Sequence, residues 1–170
     1  TTHLMMELLD SHDRGRFEIH AFSLGPQRYD AAREQVVQSV DGFHDISSMT
    51  DQEAAALSRS LNIDIAVDLK GFTKDGRLGL FAERCAPIQV SYLGYPGTTG
   101  ADYMDYVIAD EIVIPLDKQR FFTEKPVYMP HSYQVNNSQR AISARQFTRT
   151  ELGLPAVSYT HLTLPTIYSV

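Results

Sequence analysis

A single cysteine, Cys85, stands in a chain of 170 residues. An internal disulfide framework and a cysteine zinc cluster are therefore excluded, and a reducing, cytoplasmic setting is expected. Basic residues are outnumbered: 15 Lys and Arg face 21 Asp and Glu, for a net charge of −6. Such a balance argues against nonspecific nucleic-acid binding, which needs a basic face. A local anion site at a helix N-terminus or a single lysine stays open. No apolar run approaches the roughly 20 residues of a membrane span, and no signal peptide opens the chain, so no membrane partner is expected. The chain has no Gly-x-Ser-x-Gly elbow, no Gly-x-Gly-x-x-Gly after its first strand and no Walker lysine. The usual hydrolase, dinucleotide and ATP chemistries thus lack their residues. His12, His20 and His44 show no ligand spacing, and no metal site is expected.

What the chain does have is Leu93-Gly94-Tyr95-Pro96-Gly97-Thr98-Thr99-Gly100, directly after the β-rich run 87–92. Three glycines and a proline in eight residues cannot continue a strand or build a helix. They form a turn whose backbone can be approached closely. In an α/β sheet the loop at a strand's carboxyl end is where ligands bind. An ordinary tight connection has the same composition, and the residues alone leave both readings open.

Periodicity alternates between helix and strand. Leu4, Met5, Leu8 and Leu9 recur at helical spacing, and Phe17, Ile19 and Ala21 alternate as in a strand. Helical spacing returns over 29–40 and 51–61, with Thr50 and Glu53 spaced as a capping box. Strands are expected at 43–46, 63–69, 88–93 and 106–109, and a helix over 75–85. Connections too long for hairpins imply βαβ units and a Rossmann-like α/β fold, its parallel sheet covered on both faces. Right-handed crossovers then bring the strands' carboxyl ends to one edge. The loops 68–73 and 93–100 both fall there. No internal repeat occurs within 1–156.

Asp68 and Lys70 flank the end of the strongest strand. They offer an acceptor or base and a phosphate-binding cation, or merely a surface ion pair worth at most about 1 kcal/mol. Lys74 and Arg77 lie by the next helix start, with Arg77 read as a solvated charge. His3 and His131 are lone histidines that could serve as bases or as polar surface residues. Tyr92, Tyr95, Tyr103 and Tyr106 crowd one region. Most read as core, and one or two at a cleft rim would suit a sugar. A methyl on Gly94 is expected to intrude on that cleft.

Four ordered segments carry a family resemblance: 68–73 (Asp-Leu-Lys-Gly-Phe-Thr), 80–90, 93–100 and 104–110, with 123–125 and 128–133 following. Over about residues 1–155 the chain resembles the catalytic region of bacterial O-linked N-acetylglucosamine transferases of glycosyltransferase family 41. The resemblance implies most of the N-terminal half of a B-type glycosyltransferase. It implies transfer of N-acetylglucosamine from UDP-GlcNAc, as donor substrate rather than cofactor, to Ser or Thr hydroxyls of an acceptor protein. Inversion at the sugar carbon without an essential metal is implied too. Family members usually carry tetratricopeptide repeats ahead of this region. Leu93, Gly94, Tyr95 and Pro96 are the carried-over substrate-binding residues, with Asp68 and Lys70 on the other cleft loop. The proposed catalytic histidine of the family is expected upstream of Thr1, which leaves the chain inactive by itself. A non-catalytic nucleotide- or effector-binding Rossmann module and a flavodoxin-like interaction domain are the rivals.

Residues 157–166 match what one reading frame of a common sequencing-library transposon adapter encodes. The expected organisation is a partial catalytic half over 1–156 and a non-native tail over 157–170.

Overall fold

The computed structural model describes residues 2–25, 30–138 and 144–155. The tail and the expected 156/157 boundary lie outside them. The chain divides into two compact units, residues 1–139 and 140–170. In the second, Glu151 Oε2 accepts from Thr148 N at 2.8 Å and closes a single turn.

The first unit runs α1 (Thr2–Asp10), β1 (His20–Ser23), α2 (Ala31–Gln38), β2 (Gly42–Asp45), α3 (Asp51–Ser60), β3 (Ile65–Asp68), α4 (Leu78–Ala82), β4 (Ile88–Ser91), β5 (Tyr106–Ala109), a 3₁₀ turn (Leu116–Phe121) and β6 (Lys125–Tyr128). All strand pairs are parallel. They form a two-stranded sheet, β1-β2, and a four-stranded sheet in the order β3-β4-β5-β6.

Local chemistry sets the element ends. The expected capping box holds at α3: Thr50 accepts from Glu53 N at 3.2 Å and Glu53 accepts from Thr50 N at 2.8 Å. The strand expected from Phe17 starts at His20 instead, because Phe17 N is taken by Asp13 O at 2.9 Å in a turn. The helix expected over 75–85 shortens to five residues, bracketed by Asp75 and Arg84 in the left-handed region (φ 62° and 54°). β6 carries Pro126, which cannot donate to a ladder. It pairs only with β5 among the described residues, as an edge strand can.

The four-stranded sheet is not covered on both faces as expected. Ala54, Ala55, Leu80, Phe81, Cys85 and Met104 form the core, with Ala66 of β3 packed against it. Of the residues alternating with that inward set, Val90 is buried and Tyr106 and Ile108 are half-buried, but Ile65 is exposed by 53%, Val67 by 44%, Ile88 by 38% and Val127 by 43%. The cause is topological. Each crossover from β3 to β6 steps the same way, so right-handed connections all lie on one face.

Gln89 is a polar centre that periodicity could not reveal. Fully buried, it accepts from Cys85 N at 3.0 Å and donates to Phe81 O at 2.9 Å and Tyr103 O at 2.7 Å. Arg77 is likewise no solvated charge. Its guanidinium binds Asp51 Oδ1, Ile46 O and Met49 O, all within 2.9 Å, and ties α4 to the start of α3.

In the smaller sheet, His20 Nδ1 and His44 Nε2 lie within hydrogen-bond distance at 2.9 Å, their rings stacked nearly parallel, and His20 Nε2 meets Glu18 at 2.9 Å. Burial, and then the neighbouring His20, hold His44 below the ordinary histidine value. Around the pair stand Asp41, whose carboxylate accepts from Ile19 N and pairs with Arg14, and Asp45, which pairs with Arg33. Folding therefore favours neutral His44. Its contribution is complete above the unfolded value near 6.5 and is lost as pH falls through the lower folded value. We expect the melting temperature to drop between pH 7 and pH 5, and less steeply in His44→Gln. Equal slopes in melting curves recorded across that range would refute the assignment.

Candidate functional site at the carboxyl edge of the sheet

β3 ends at Asp68, which is 3% exposed. Its carboxylate accepts from Lys70 N at 2.9 Å and from Gly71 N at 3.0 Å, turning the chain sharply. Asp68 and Lys70 form no ion pair with each other. The aspartate is spent on its own loop's amides, and Lys70 anchors the turn through its carbonyl, which accepts from Thr73 Oγ1 at 2.9 Å. Gly71 takes φ 54°, a conformation that glycine adopts without penalty.

Directly after β4, the Tyr92 N–H donates to Asp68 O at 2.9 Å. The next residue breaks the strand. Leu93 sits at φ 67°, and Gly94 N returns to Tyr92 O at 2.8 Å. A three-residue turn at positive φ is rare and strained in a residue with a side chain. Such strain persists only where the surroundings over-determine it.

Those surroundings are the neighbouring loop. A Cβ on Gly94 would lie 2.8 Å from the Leu69 carbonyl carbon and 3.0 Å from Lys70 Cα, and closer still to Leu69 O. A Cβ on Gly71 would lie 2.5 Å from Tyr95 Cβ. The two loops thus interlock backbone to backbone. This corrects the expectation for Gly94: a methyl there meets the adjacent loop rather than open cleft, and its φ is not positive. Tyr95 packs edge-to-face on Phe72, with centroids 5.5 Å apart, and Phe72 is 59% exposed. The pair presents an aromatic lip to solvent. Pro96 is exposed beside it, and Lys74 is exposed on the opposite loop.

Of the four crowded tyrosines, Tyr92 is buried and Tyr95, Tyr103 and Tyr106 are half-buried. Tyr92 also braces the edge: its hydroxyl donates to Tyr133 O at 2.7 Å. Burial pushes that phenol up from its ordinary value. Asp110, at the end of β5, accepts from Ile112 N, Val113 N and Tyr133 N at 2.8–3.0 Å, and these bonds hold its carboxyl low. Asp110 therefore repeats at β5 what Asp68 does at β3. The recurring signal, an aspartate directly after an apolar strand, was readable in the sequence. The tie to Tyr133 was not.

His131 lies exposed on the loop after β6, at the same edge, whereas His3 lies exposed on α1. A concavity of about 400 Å³, lined by Ile88, Asp105, Tyr106 and Lys125 among others, opens at the strands' amino ends. Parallel sheets bind ligands at the other edge, so the interlocked loops remain the candidate site. Among the described residues, no group of three or more His, Cys, Asp or Glu side chains could hold a metal. No described helix is long and apolar enough to cross a membrane.

Residues 1–149 match the family model of Glycosyl transferase family 41. The chain is 38% identical over 136 residues to a probable UDP-N-acetylglucosamine–peptide N-acetylglucosaminyltransferase, SEC, of Arabidopsis thaliana, covering 80% of this chain and 14% of that protein. It is 38% identical over 138 residues to the UDP-N-acetylglucosamine–peptide N-acetylglucosaminyltransferase of Caenorhabditis elegans, covering 81% and 12%. A solved structure of a Thermobaculum terrenum O-GlcNAc transferase mutant superposes with a TM-score of 0.74 at 34% identity, over 77% of this chain and 25% of that one. The chain belongs to glycosyltransferase family 41. Its parallel α/β architecture is that of the family's catalytic region, and it spans about one seventh or less of the length of these two curated relatives.

Proposed function

We propose that this chain is the N-terminal part of the catalytic region of a longer protein O-GlcNAc transferase, and that its carboxyl-edge loops form the sugar-facing wall. The observation that carries the reading is the interlock of the loops 68–73 and 93–97 through Gly94, at the sheet edge where ligands bind. In a family whose relatives are named for peptide N-acetylglucosaminyl transfer, a strained, over-determined loop there fits a preorganised sugar site.

The reaction is direct displacement. An acceptor Ser or Thr oxygen attacks the anomeric carbon, the bond to the UDP oxygen breaks, and the configuration inverts. Leu93, Gly94, Tyr95 and Pro96 border the sugar, with Asp68 and Lys70 shaping the facing loop. The base and most UDP contacts belong to chain outside these residues. UDP-GlcNAc is a substrate, and the reaction needs no metal or other cofactor. The partners are the donor and an acceptor protein, not nucleic acid, given the acidic balance. Tetratricopeptide repeats preceding the catalytic region and a cytoplasmic setting complete the reading.

The test compares the 170-residue chain with the full-length protein, using UDP-GlcNAc and candidate acceptor proteins. Mass increments of one N-acetylhexosamine are expected on acceptors with the full-length protein and none with the chain alone. Turnover by the chain alone would overturn the division of labour. Uridine-nucleotide binding without transfer by the full-length protein would favour a non-catalytic Rossmann module.

A further inference from the structure

The segment Gly97–Gly100 carries the Gly-rich loop back towards the start of β5 without forming a helix or strand. Beneath it lies Glu124, 2% exposed, immediately before β6. Its carboxylate accepts from Thr98 Oγ1 at 2.7 Å, from Thr99 N at 2.7 Å, from Thr99 Oγ1 and from Thr123 Oγ1 at 3.2 Å. No cation pairs with it among the described residues. Burying a carboxylate without a counter-ion is costly unless hydrogen bonds replace its water. Here the replacements come from Thr98, Thr99, Thr123 and the residue's own backbone N–H. Burial pushes the carboxyl up, the Thr99 and Thr98 bonds outweigh it, and the net shift is downward, which keeps the group charged at neutral pH.

The anchor reaches the candidate site in short steps. Thr98 follows Gly97, and a Cβ on Gly97 would lie 2.9–3.0 Å from the Cε1, Cζ and hydroxyl atoms of Tyr95. The Tyr95 ring therefore rests directly on the Gly97 backbone. On its other side it meets Phe72, and its Cβ meets Gly71. Thr98 also accepts from Gly100 N at 3.0 Å, which closes the arm on itself.

We propose that Glu124 is a positioning residue. By clamping Thr98 and Thr99 it fixes the floor on which Tyr95 stands, and so sets the geometry of the sugar-facing loop without touching substrate. The proposal rests on the transferase reading above. It accounts for a buried charge whose bonds beyond its own residue go to its neighbour Thr123 and to one irregular segment.

Glu124→Ala removes every acceptor, whereas Glu124→Gln keeps the shape and one accepting oxygen. In the full-length protein, Glu124→Ala should lower kcat at least tenfold, with the donor KM changed less than twofold, and Glu124→Gln should recover most of the loss. Hydrogen exchange should show faster amides at 94, 95 and 97 in Glu124→Ala, with α3 and the β1-β2 sheet unchanged. An unaltered kcat, or protection lost throughout the chain, overturns the proposal. If the wild-type protein transfers no sugar, the transferase reading fails, and with it the catalytic part of this role. The exchange pattern then decides the clamp by itself.

Discussion

Gly94→Ala in the full-length protein is expected to lower kcat/KM more than tenfold and to destabilise the fold by about 1–3 kcal/mol, the range for forcing a methyl into a packed site. Tenfold corresponds to about 1.4 kcal/mol of transition-state stabilisation. The two losses share one cause. The added carbon would fall within 2.8 Å of the Leu69 carbonyl carbon and 3.0 Å of Lys70 Cα, and backbone cannot rotate aside as a side chain can. The loop after β4 must therefore lift from the loop after β3, carrying Leu93 and Tyr95 with it. Urea denaturation and steady-state kinetics on the same variant measure both terms. Gly25→Ala is the control: among the described residues nothing lies within 4 Å of its added carbon, so stability should stay within about 0.5 kcal/mol. Wild-type kinetics with reduced stability would leave the interlock standing and remove the loop from the site.

Gln89→Leu is expected to cost about 1–3 kcal/mol, although it puts a side chain of similar size into an apolar neighbourhood. Cys85 N–H loses its partner, and a stranded buried polar group costs about 1–3 kcal/mol, whereas the carbonyls of Phe81 and Tyr103 each keep a bond from Arg84, at 3.0 Å and 2.8 Å. These groups lie at the end of α4, in the turn after it and in the loop before β5. The amide thus joins connections that no strand ladder reaches. A denaturation midpoint near wild type would show that water or rearrangement satisfies those groups instead.

Several elements were legible because their signals are local. Thr50 and Glu53 are three residues apart, and a capping box needs nothing further to declare itself. The parallel strands at 65–68, 88–91 and 106–109 announce themselves as short apolar runs separated by crossover lengths. Their parallel direction places the loops 68–73 and 93–100 on one edge before any coordinate is known. Other elements were lost where two signals competed. Phe17 and Ile19 alternate like a strand, yet the Asp13 carbonyl captures the Phe17 amide first. Arg77 looks like one more surface charge, and only the approach of α3 gives it Asp51 and two carbonyls to bind.

By itself, the sequence determined the fold class, the edge on which the two candidate loops lie and the family, since each follows from periodicity, crossover direction or ordered motifs along one chain. Tertiary structure alone decided what Gly94, Glu124 and Gln89 do. Gly94 is required by the Leu69 and Lys70 backbone, more than twenty residues away in the chain, and Glu124 by hydroxyls 25 and 26 residues before it. Close approach and buried hydrogen bonding depend on which segments meet, and that is a property of packing that no spacing along the chain records.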